Sequence, residues 1–332
     1  MRKSLRIILF VLMFSLTGCN GIGTPSNNPL DATITPTPFQ PAAEVAMTST
    51  PAWTLTPTPD ESKIISLGLA RPEGQVNILL LGSDFRPGLG YRTDVMMLLS
   101  LMPDQNLITL TSFPRDLYVD LPGYGYERIN AALEFGGFPL VQETFDYNFD
   151  VPVDYYMLTD FTGFVSIIDT LGGITVNATY ELYDTCDLPQ AVDHMCYVPA
   201  GRITMNGETA LWYVRSRYST NDFDRTRRAQ EVITAIVQKT MSLDALNRAA
   251  ELFDLFRYSV ETDIPFDLIV KMLPLAANYF QDPTILQRYA ISEADVTDYL
   301  VPVSGAMVVI PNNDAVAKII QQAIYPLQEP HN

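Results

Sequence analysis

The fold of this chain is decided around the stretch VNILLLGSD, residues 76–84. A nearly continuous apolar run that stops at a Gly-Ser-Asp loop is typical of a strand buried on both faces. Two more apolar runs, residues 95–101 and 108–113, are joined by the turn PDQN at 103–106. Apolar runs on either side of a short turn predict a hairpin. The sequence therefore predicts a sheet that begins with three successive strands.

Charged residues stand beside these predicted strands. Asp84 follows the first strand, Arg92 and Asp94 precede the second, and Arg115 follows the third. In a hairpin the start of one strand lies beside the end of its partner. We therefore expect these four side chains to converge on one edge of the sheet.

Downstream of the hairpin, helical and strand-like patterns alternate. Residues 161–171 are amphipathic and end at Gly172-Gly173, a C-cap signal for a helix. Strands and helices mixed in this order predict an α/β fold, an α/β/α sandwich with a central mixed β-sheet and helices on both faces. Further helices are predicted at 129–135, 139–148 and 219–239, and further strands at 155–160 and 174–176.

The segment at 242–326 lacks the composition of a linker. We therefore expect it to pack as an extension on a motif core at 76–241, so that residues 75–326 form one catalytic domain. The extension is predicted to hold helices at 244–256, 265–279 and 313–324, and a strand pair formed by 289–291 and 307–310.

The N-terminus has the pattern of an export signal. A basic start is followed by an apolar run at 7–16, shorter than the ~20 residues that a membrane-spanning helix needs. The run ends in LTGC at 16–19, which resembles the lipobox of bacterial lipoproteins; an ordinary signal peptide is the alternative. We predict a lipoprotein signal peptide at 1–19 and lipidation of Cys19. The protein is then extracytoplasmic and anchored to the cell membrane.

Residues 20–62 are rich in Pro, Thr and Ser and contain no Lys or Arg. Such a segment buries too little apolar surface to offset the entropy of ordering it. It is predicted to be a disordered stalk between the lipid and the folded domain.

Two cysteines remain in the predicted domain, Cys186 and Cys196. In an oxidising compartment such a pair is expected to form a disulfide. A metal site that includes His194 is the weaker interpretation, because this spacing matches no common zinc pattern.

Arginine is used selectively in this chain. The net charge is −17, which argues against binding to nucleic acid, yet Arg outnumbers Lys by 16 to 5. Five arginines lie within residues 215–228, directly after the apolar stretch ALWYV at 210–214. Half-buried cations need carboxylates or a bound anion, and Arg suits bidentate phosphate binding. The cluster therefore predicts a pyrophosphate site.

Asp84 and Asp94 suit a divalent ion beside that phosphate. Mg²⁺ typically takes one or two carboxylates together with phosphate oxygens and water. Metal and arginine together predict phosphoryl transfer, since both neutralise charge that develops on the phosphate. Each residue alone also has a structural interpretation: Asp84 as a turn residue, Arg215 and Arg217 as surface ion pairs, and Arg227 as a solvent-facing helix residue.

Seven short motifs follow one another along the chain: NILLLGSD (77–84), RTD (92–94), PRD (114–116), INAA (129–132), DTLGGI (169–174), ALWYVRSR (210–217) and DFDRTRR (222–228). These motifs and their order resemble the LytR-CpsA-Psr family over residues 76–241. The resemblance implies an α/β/α fold and an extracytoplasmic phosphotransferase. Its substrates would be a glycopolymer on a polyprenyl-pyrophosphate carrier and a peptidoglycan acceptor.

The resemblance also assigns roles to single residues. Asp84 and Arg115 would act in catalysis, and Asp84 and Asp94 would hold Mg²⁺ or Mn²⁺. The family usually has Gln directly after the last Arg of its final motif, where this chain has Ala229 and places Gln230 one position later. The pyrophosphate would be bound by Arg92, Arg115, Arg215, Arg217, Arg225 and Arg228.

Two other functions fit the same residues. Water in place of a glycan acceptor would make the site a pyrophosphatase. A non-catalytic protein that binds cell-wall glycans would need no metal, and the paired aspartates argue against it. A DNA-binding regulator fits poorly with the predicted export and with the negative charge.

Overall fold

The computed structural model describes residues 67–84, 92–217, 222–240, 258–302 and 304–326. The predicted signal peptide, stalk and helix at 244–256 lie outside these residues. Within the described ranges, no helix combines the length and the apolarity that crossing a membrane requires.

A six-stranded mixed sheet forms the centre of the fold. Its strands are β1 (Val76–Ser83), β2 (Thr93–Met102), β3 (Leu107–Phe113), β6 (Tyr155–Asp160), β11 (Glu261–Thr262) and β12 (Leu286–Ala290). They lie in the order β11-β6-β1-β2-β3-β12. The three predicted strands β1, β2 and β3 are the antiparallel middle of the sheet, while β6 joins β1 and β12 joins β3 in parallel.

Within the part of the chain that the structure describes, four two-stranded sheets lie outside the central sheet, among them the hairpin that carries the two cysteines. A disulfide joins Cys186 to Cys196, with their Cα atoms 5.7 Å apart. The strands are paired as β4 (Tyr118–Leu121) with β5 (Gly125–Arg128), β7 (Ile174–Ala178) with β10 (Gly201–Met205), β8 (Leu182–Thr185) with β9 (Met195–Val198), and β13 (Val296–Leu300) with β14 (Met307–Pro311).

Helices cover both faces of the central sheet, as the sequence predicts. The described helices are α1 (Ala132–Phe149), α2 (Phe161–Thr170), α3 (Gly207–Arg215), α4 (Asp222–Thr240), α5 (Phe266–Gln281) and α6 (Asn313–Ile324). The two segments predicted at 129–135 and 139–148 meet in α1, which bends at Gly137, where φ is 65° and ψ is −164°. The α/β/α sandwich is therefore confirmed.

Alternate residues of the central strands enter two separate cores. On one face, which we call the closed face, Leu79 and Leu98 pack against α1 and α6 in one large buried cluster. On the other, which we call the cavity face, Met97 and Leu110 pack toward α2, α3 and α4. α5 covers one end of the cavity face, where Leu275 and Tyr279 pack against Ile108.

The predicted pairing of two late strands is wrong. Both segments are extended, but β12 pairs with β3 and β14 pairs with β13. Apolar patterning indicates a strand without naming its partner, and the open edge of β3 offers β12 a five-residue parallel pairing. This pairing brings the C-terminal segment into the central sheet.

Candidate functional site

A cavity of about 770 Å³ opens on the cavity face, between the sheet and helices α2, α4 and α5. Its walls are apolar along most of its length: Leu80, Met97 and Leu99 come from the sheet, and Ile233 and Val237 come from α4. A cavity of this size and lining fits an extended apolar ligand.

Polar residues gather at one end of the cavity. The four charged residues predicted at the strand ends, Asp84, Arg92, Asp94 and Arg115, all line it, which confirms their expected convergence on one edge of the sheet. The sequence-predicted site residues at this end are Asp84, Asp94 and five arginines, Arg92, Arg115, Arg215, Arg217 and Arg225. We call these five arginines the arginine edge.

A β-bulge sets the direction of Asp94. Ser83 pairs with Thr93 and Gly82 pairs with Val95, so Asp94 is the extra residue on β2. A bulge bends its strand and re-aims the side chain that it carries. The backbone amide of Asp84 donates to the carbonyl of Arg92 at 3.1 Å. This hydrogen bond at the end of the β1–β2 pair holds both aspartates at the cavity.

Arg115 links the two aspartates that flank it. Its guanidinium donates to the Asp94 carboxylate and, at 3.2 Å, to Asp116 Oδ2. Asp116 in turn pairs with Arg128 Nε at 3.3 Å. Arg225 is buried and donates to the Asp94 carbonyl at 3.4 Å. Charge at this edge is therefore arranged around Asp94.

Arg215 enters from the C-terminus of α3. Its guanidinium lies 4.1 Å from the ring centroid of Phe161, the first residue of α2. The two helices approach closely because Gly207 lies against α2: a Cβ there would be 2.5 Å from the Val165 carbonyl oxygen. This approach places Arg215 over the cavity mouth.

Arg228 differs from the other predicted phosphate ligands. Its side chain is 1% exposed and is absent from the described lining of the cavity. Its guanidinium donates to the carbonyls of Tyr213 at 2.7 Å and Ser216 at 2.5 Å. Burial, together with the charge of Arg227, lowers the pKa of Arg228. Arg228 therefore fixes the end of α3, from which Arg215 and Arg217 project.

Arg227 also differs from its prediction. Rather than facing solvent, it is half-buried and pairs with Glu231 at 2.7 Å and with Asp224 at 3.4 Å. Glu231 also accepts from the Tyr213 hydroxyl at 2.7 Å. Burial and this hydrogen bond raise the pKa of Tyr213. These contacts join α4 to α3 behind the arginine edge.

Comparison with known proteins identifies the family. A family model described as LytR_cpsA_psr matches residues 45–323. The chain belongs to the LytR-CpsA-Psr family.

Individual members of the family are similar in sequence and in fold. The polyisoprenyl-teichoic acid–peptidoglycan teichoic acid transferase TagU of Oceanobacillus iheyensis is 35% identical over 230 residues, covering 67% of this chain and 68% of that protein. The crystal structure of B. subtilis TagV superposes with a TM-score of 0.62 at 26% identity, over 76% of this chain and 98% of the other. A structure of TagT bound to LIIa-WTA gives a TM-score of 0.57 at 25% identity, over 76% and 92%.

The departure from the LytR-CpsA-Psr pattern at Ala229 has a structural counterpart. Ala229 lines the cavity. Gln230 instead donates to Ser112 Oγ at 2.8 Å and to the Tyr289 carbonyl at 2.7 Å. In this chain the amide joins α4 to β3 and β12.

Sequence reasoning missed two features of the site. Asp160 ends β6 and lines the cavity, where it also caps α2 by accepting from the Gly163 amide at 2.8 Å. The predicted strand at 155–160 ends at Asp160, and its parallel pairing with β1 in the structure brings that end to the same edge of the sheet as Ser83. A second, polar cavity of about 320 Å³ shares Arg215 and Arg217 with the first and extends toward Asp184 of the disulfide hairpin.

Few carboxylates at the site are available to bind a metal ion. Within the described ranges, no group of three or more His, Cys, Asp or Glu side chains could hold an ion. Asp84 and Asp94 at the cavity end match the one or two carboxylates that Mg²⁺ takes when substrate phosphate completes its shell. The residues present therefore fit a metal that is bound together with a phosphorylated substrate.

Proposed function

We propose that this protein transfers a glycopolymer of the teichoic acid type from a polyisoprenyl-pyrophosphate carrier to peptidoglycan in the cell envelope, releasing polyisoprenyl phosphate. The observation that carries the proposal is the continuity of the cavity, whose apolar walls end at the arginine edge. The name of the TagU relative describes this transfer, and the TagT structure contains LIIa-WTA.

The arginine edge would bind the pyrophosphate. Guanidinium groups match phosphate oxygens in a bidentate way and keep their charge at any physiological pH. Arg215 and Arg217 are exposed at the mouth, while Arg115 and Arg225 are held deeper by their contacts with Asp94. Because these groups are positioned before substrate arrives, little reorganisation is needed as charge develops in the transition state.

In the reaction, a hydroxyl of the acceptor sugar attacks the phosphorus that carries the glycopolymer. A new oxygen–phosphorus bond forms, the bond to the bridging oxygen breaks, and polyisoprenyl phosphate leaves with that oxygen. The hydroxyl proton would pass to a base, a role for which Asp84 at the arginine edge is a candidate. Arg115 would stabilise the negative charge that develops on the phosphate.

Asp84 and Asp94 would hold Mg²⁺ or Mn²⁺ against the pyrophosphate. When bound, the ion supplies positive charge that the arginines alone do not provide. The proposed lipid on Cys19 and the stalk at 20–62 would keep this site near membrane-held donor.

The test is a transfer assay with a lipid-linked donor and peptidoglycan fragments. Arg115→Ala is expected to lower transfer about 10²–10³-fold, the usual cost of removing one preorganised donor to the transition state. Chelation of divalent ions should lower transfer as well, and added Mg²⁺ should restore it. Product is measured as glycopolymer bound to peptidoglycan.

Arg128→Ala is the matched control. Arg128 pairs with the same Asp116 as Arg115 but is not among the residues that line the cavity. Its replacement should change transfer only a few-fold. Full activity in Arg115→Ala would contradict the assignment of the site.

The same assay separates transfer from hydrolysis. Consumption of donor that requires peptidoglycan supports the transferase, whereas equal consumption without acceptor supports a pyrophosphatase. Binding of glycan with no consumption of donor supports the non-catalytic alternative. The second cavity favours transfer, since it offers room for a polar acceptor on the far side of Arg215 and Arg217.

A further inference from the structure

The helix α5 is apolar on two opposite faces. Its inner face, with Leu275 and Tyr279, packs on the sheet and lines the cavity. Its outer face carries a stripe of exposed apolar side chains at helical spacing. Leu273 is 54% exposed and Phe280 59%, and the stripe is completed by Ile269 and Val270. We call these four residues the outer stripe.

An apolar helix surface of this kind requires a partner. Helices that are apolar all round are normally buried, and contiguous exposed apolar patches mark sites of interaction with proteins or membranes. Only two of the sixteen residues of α5 carry charge, Asp267 and Lys271. Exposure of the outer stripe to water is therefore unfavourable.

The position of α5 indicates which partner it meets. Ile108, at the start of β3, packs against α5, while Arg115 follows the end of the same strand. The strand between Ile108 and Phe113 is about 17 Å long at 3.4 Å per residue. A hydrogen bond from Asn278 Nδ2 to Asn106 Oδ1 at 2.8 Å also ties α5 to the turn before β3. α5 thus forms the end of the cavity that lies away from the arginine edge.

We infer that the outer stripe docks into the surface of the lipid bilayer and sets the apolar end of the cavity against the membrane. The inference rests on the proposed function, because a polyisoprenyl donor with its pyrophosphate at the arginine edge extends toward α5. The inner side of α5 is apolar and faces the lipid chain of the donor, and its outer side is apolar and faces the bilayer. The polyisoprenyl chain therefore has a continuous apolar path between cavity and membrane. The rest of the donor chain then stays in the membrane during transfer.

The helix is suited to lie in the plane of the interface. At sixteen residues, with two charges, it buries one apolar side and leaves its charged residues near the head groups, as interfacial helices do. Pro274 has no amide to bond the Val270 carbonyl. Water and head groups at interface depth can satisfy that carbonyl, whereas the hydrocarbon core cannot.

The first experiment needs no substitution. The full chain is bound to vesicles of neutral phosphatidylcholine that contain a phosphatidylcholine with a photoreactive group in its acyl chain, and labelled peptides are mapped after illumination. Label is expected on residues 266–281. The exposed Tyr183 and Tyr197 of the disulfide hairpin provide the internal control. Equal labelling of the two regions, or labelling of the hairpin alone, overturns the inference.

The second experiment joins docking to activity. Leu273→Glu is expected to lower transfer from a long-chain donor held in vesicles about tenfold, since burial of one leucine side chain is lost. Transfer from a water-soluble donor with a short isoprenyl chain should not change, because Leu273 is not among the cavity-lining residues. Gln281→Glu adds the same charge to the same helix outside the outer stripe and should leave both activities unchanged.

The outcomes separate this inference from the proposed function. An unsubstituted protein that transfers from neither donor contradicts the proposed function, while the labelling map still decides whether α5 docks. Equal transfer by Leu273→Glu from both donors shows that docking does not assist donor access. A dimer in solution that Leu273→Glu dissociates shows that a second copy covers the outer stripe, and also overturns the inference.

Discussion

Leu79 and Leu80 are neighbours on β1, yet they lie in two different environments. Leu79 is fully buried on the closed face, where the side chains of α1 and α6 fill the space above the sheet. Leu80 points to the cavity face and lines an open volume of about 770 Å³. The same residue type thus holds the fold together on one side of the strand and shapes a binding site on the other.

The difference between the faces has an energetic meaning. Protein interiors are close-packed, and voids larger than a water molecule are few because their lining atoms lose dispersion contacts. The cavity face forgoes those contacts over a large apolar area, so its free energy falls when an apolar ligand fills it. Stability is therefore expected to depend on the closed face, and ligand affinity on the cavity face.

The largest effect is expected on the closed face. Phe145 is fully buried, with its ring centroid 4.8 Å from that of Phe113. Phe145→Ala should lower the free energy of unfolding by about 3–5 kcal/mol, because it leaves a void in a packed core. Urea denaturation measures the change. Phe135→Ala, at an exposed position of the same helix, should cost less than about 1 kcal/mol.

An intermediate effect is expected from the same type of substitution, Ile→Trp, made separately on each face. Ile233→Trp on the cavity face should fill part of the cavity and raise the KM for the lipid donor at least about tenfold, while changing stability little. Ile320→Trp on the closed face, where the side chain is fully buried, should instead destabilise the protein by about 1–3 kcal/mol through overpacking. Thermal unfolding and donor titration are compared for both. Equal loss of stability in the two variants would show that the cavity is not open to a ligand.

The smallest effect concerns a hydroxyl on the closed face. Tyr325 is buried and donates to the Asp150 carbonyl at 2.5 Å, and burial, with Asp150, raises its pKa from 10 to about 12. Because the folded-state pKa is the higher one, this stabilisation is present below pH 10 and is lost as pH rises toward 12. Tyr325→Phe should cost on the order of 1 kcal/mol at pH 8.

The measurement is the free energy of unfolding of both proteins as a function of pH. The difference between them should shrink between pH 10 and 12. Tyr258→Phe, at an exposed position, is the matched control. A difference that stays constant across this range would show that ionisation of Tyr325 does not contribute to the loss of stability at alkaline pH.

The sequence predicts the middle of the sheet well because its signals are local. The apolar runs of β1, β2 and β3 and the short turn between the last two determine which strand ends meet, and with them where Asp84, Arg92 and Arg115 lie. The bulge at Asp94 cannot be predicted in this way, since it depends on the register between two strands rather than on either strand alone.

The roles of individual arginines are harder to predict. Arg225 and Arg228 are three residues apart on α4, a step that turns a helix by only about 60° from a full turn, so periodicity assigns them to similar faces. Arg225 contacts Asp94 at the cavity, whereas Arg228 meets the carbonyls at the end of α3. What separates them is the neighbour that each meets along the helix axis, and only the tertiary structure supplies that neighbour.

β12 is an edge strand of the central sheet, and it is formed by a segment that is synthesised late. Until residues 286–290 have been synthesised, the edge of β3 that they cover can pair with other chains. A chain that stopped at residue 241 would keep the recognisable motifs, yet it would lack β12, α5 and α6 and would present both that edge and the apolar surfaces beneath them. The motif core at 76–241, which contains the predicted catalytic residues, therefore depends for its solubility on the extension at 242–326, which contains none of them.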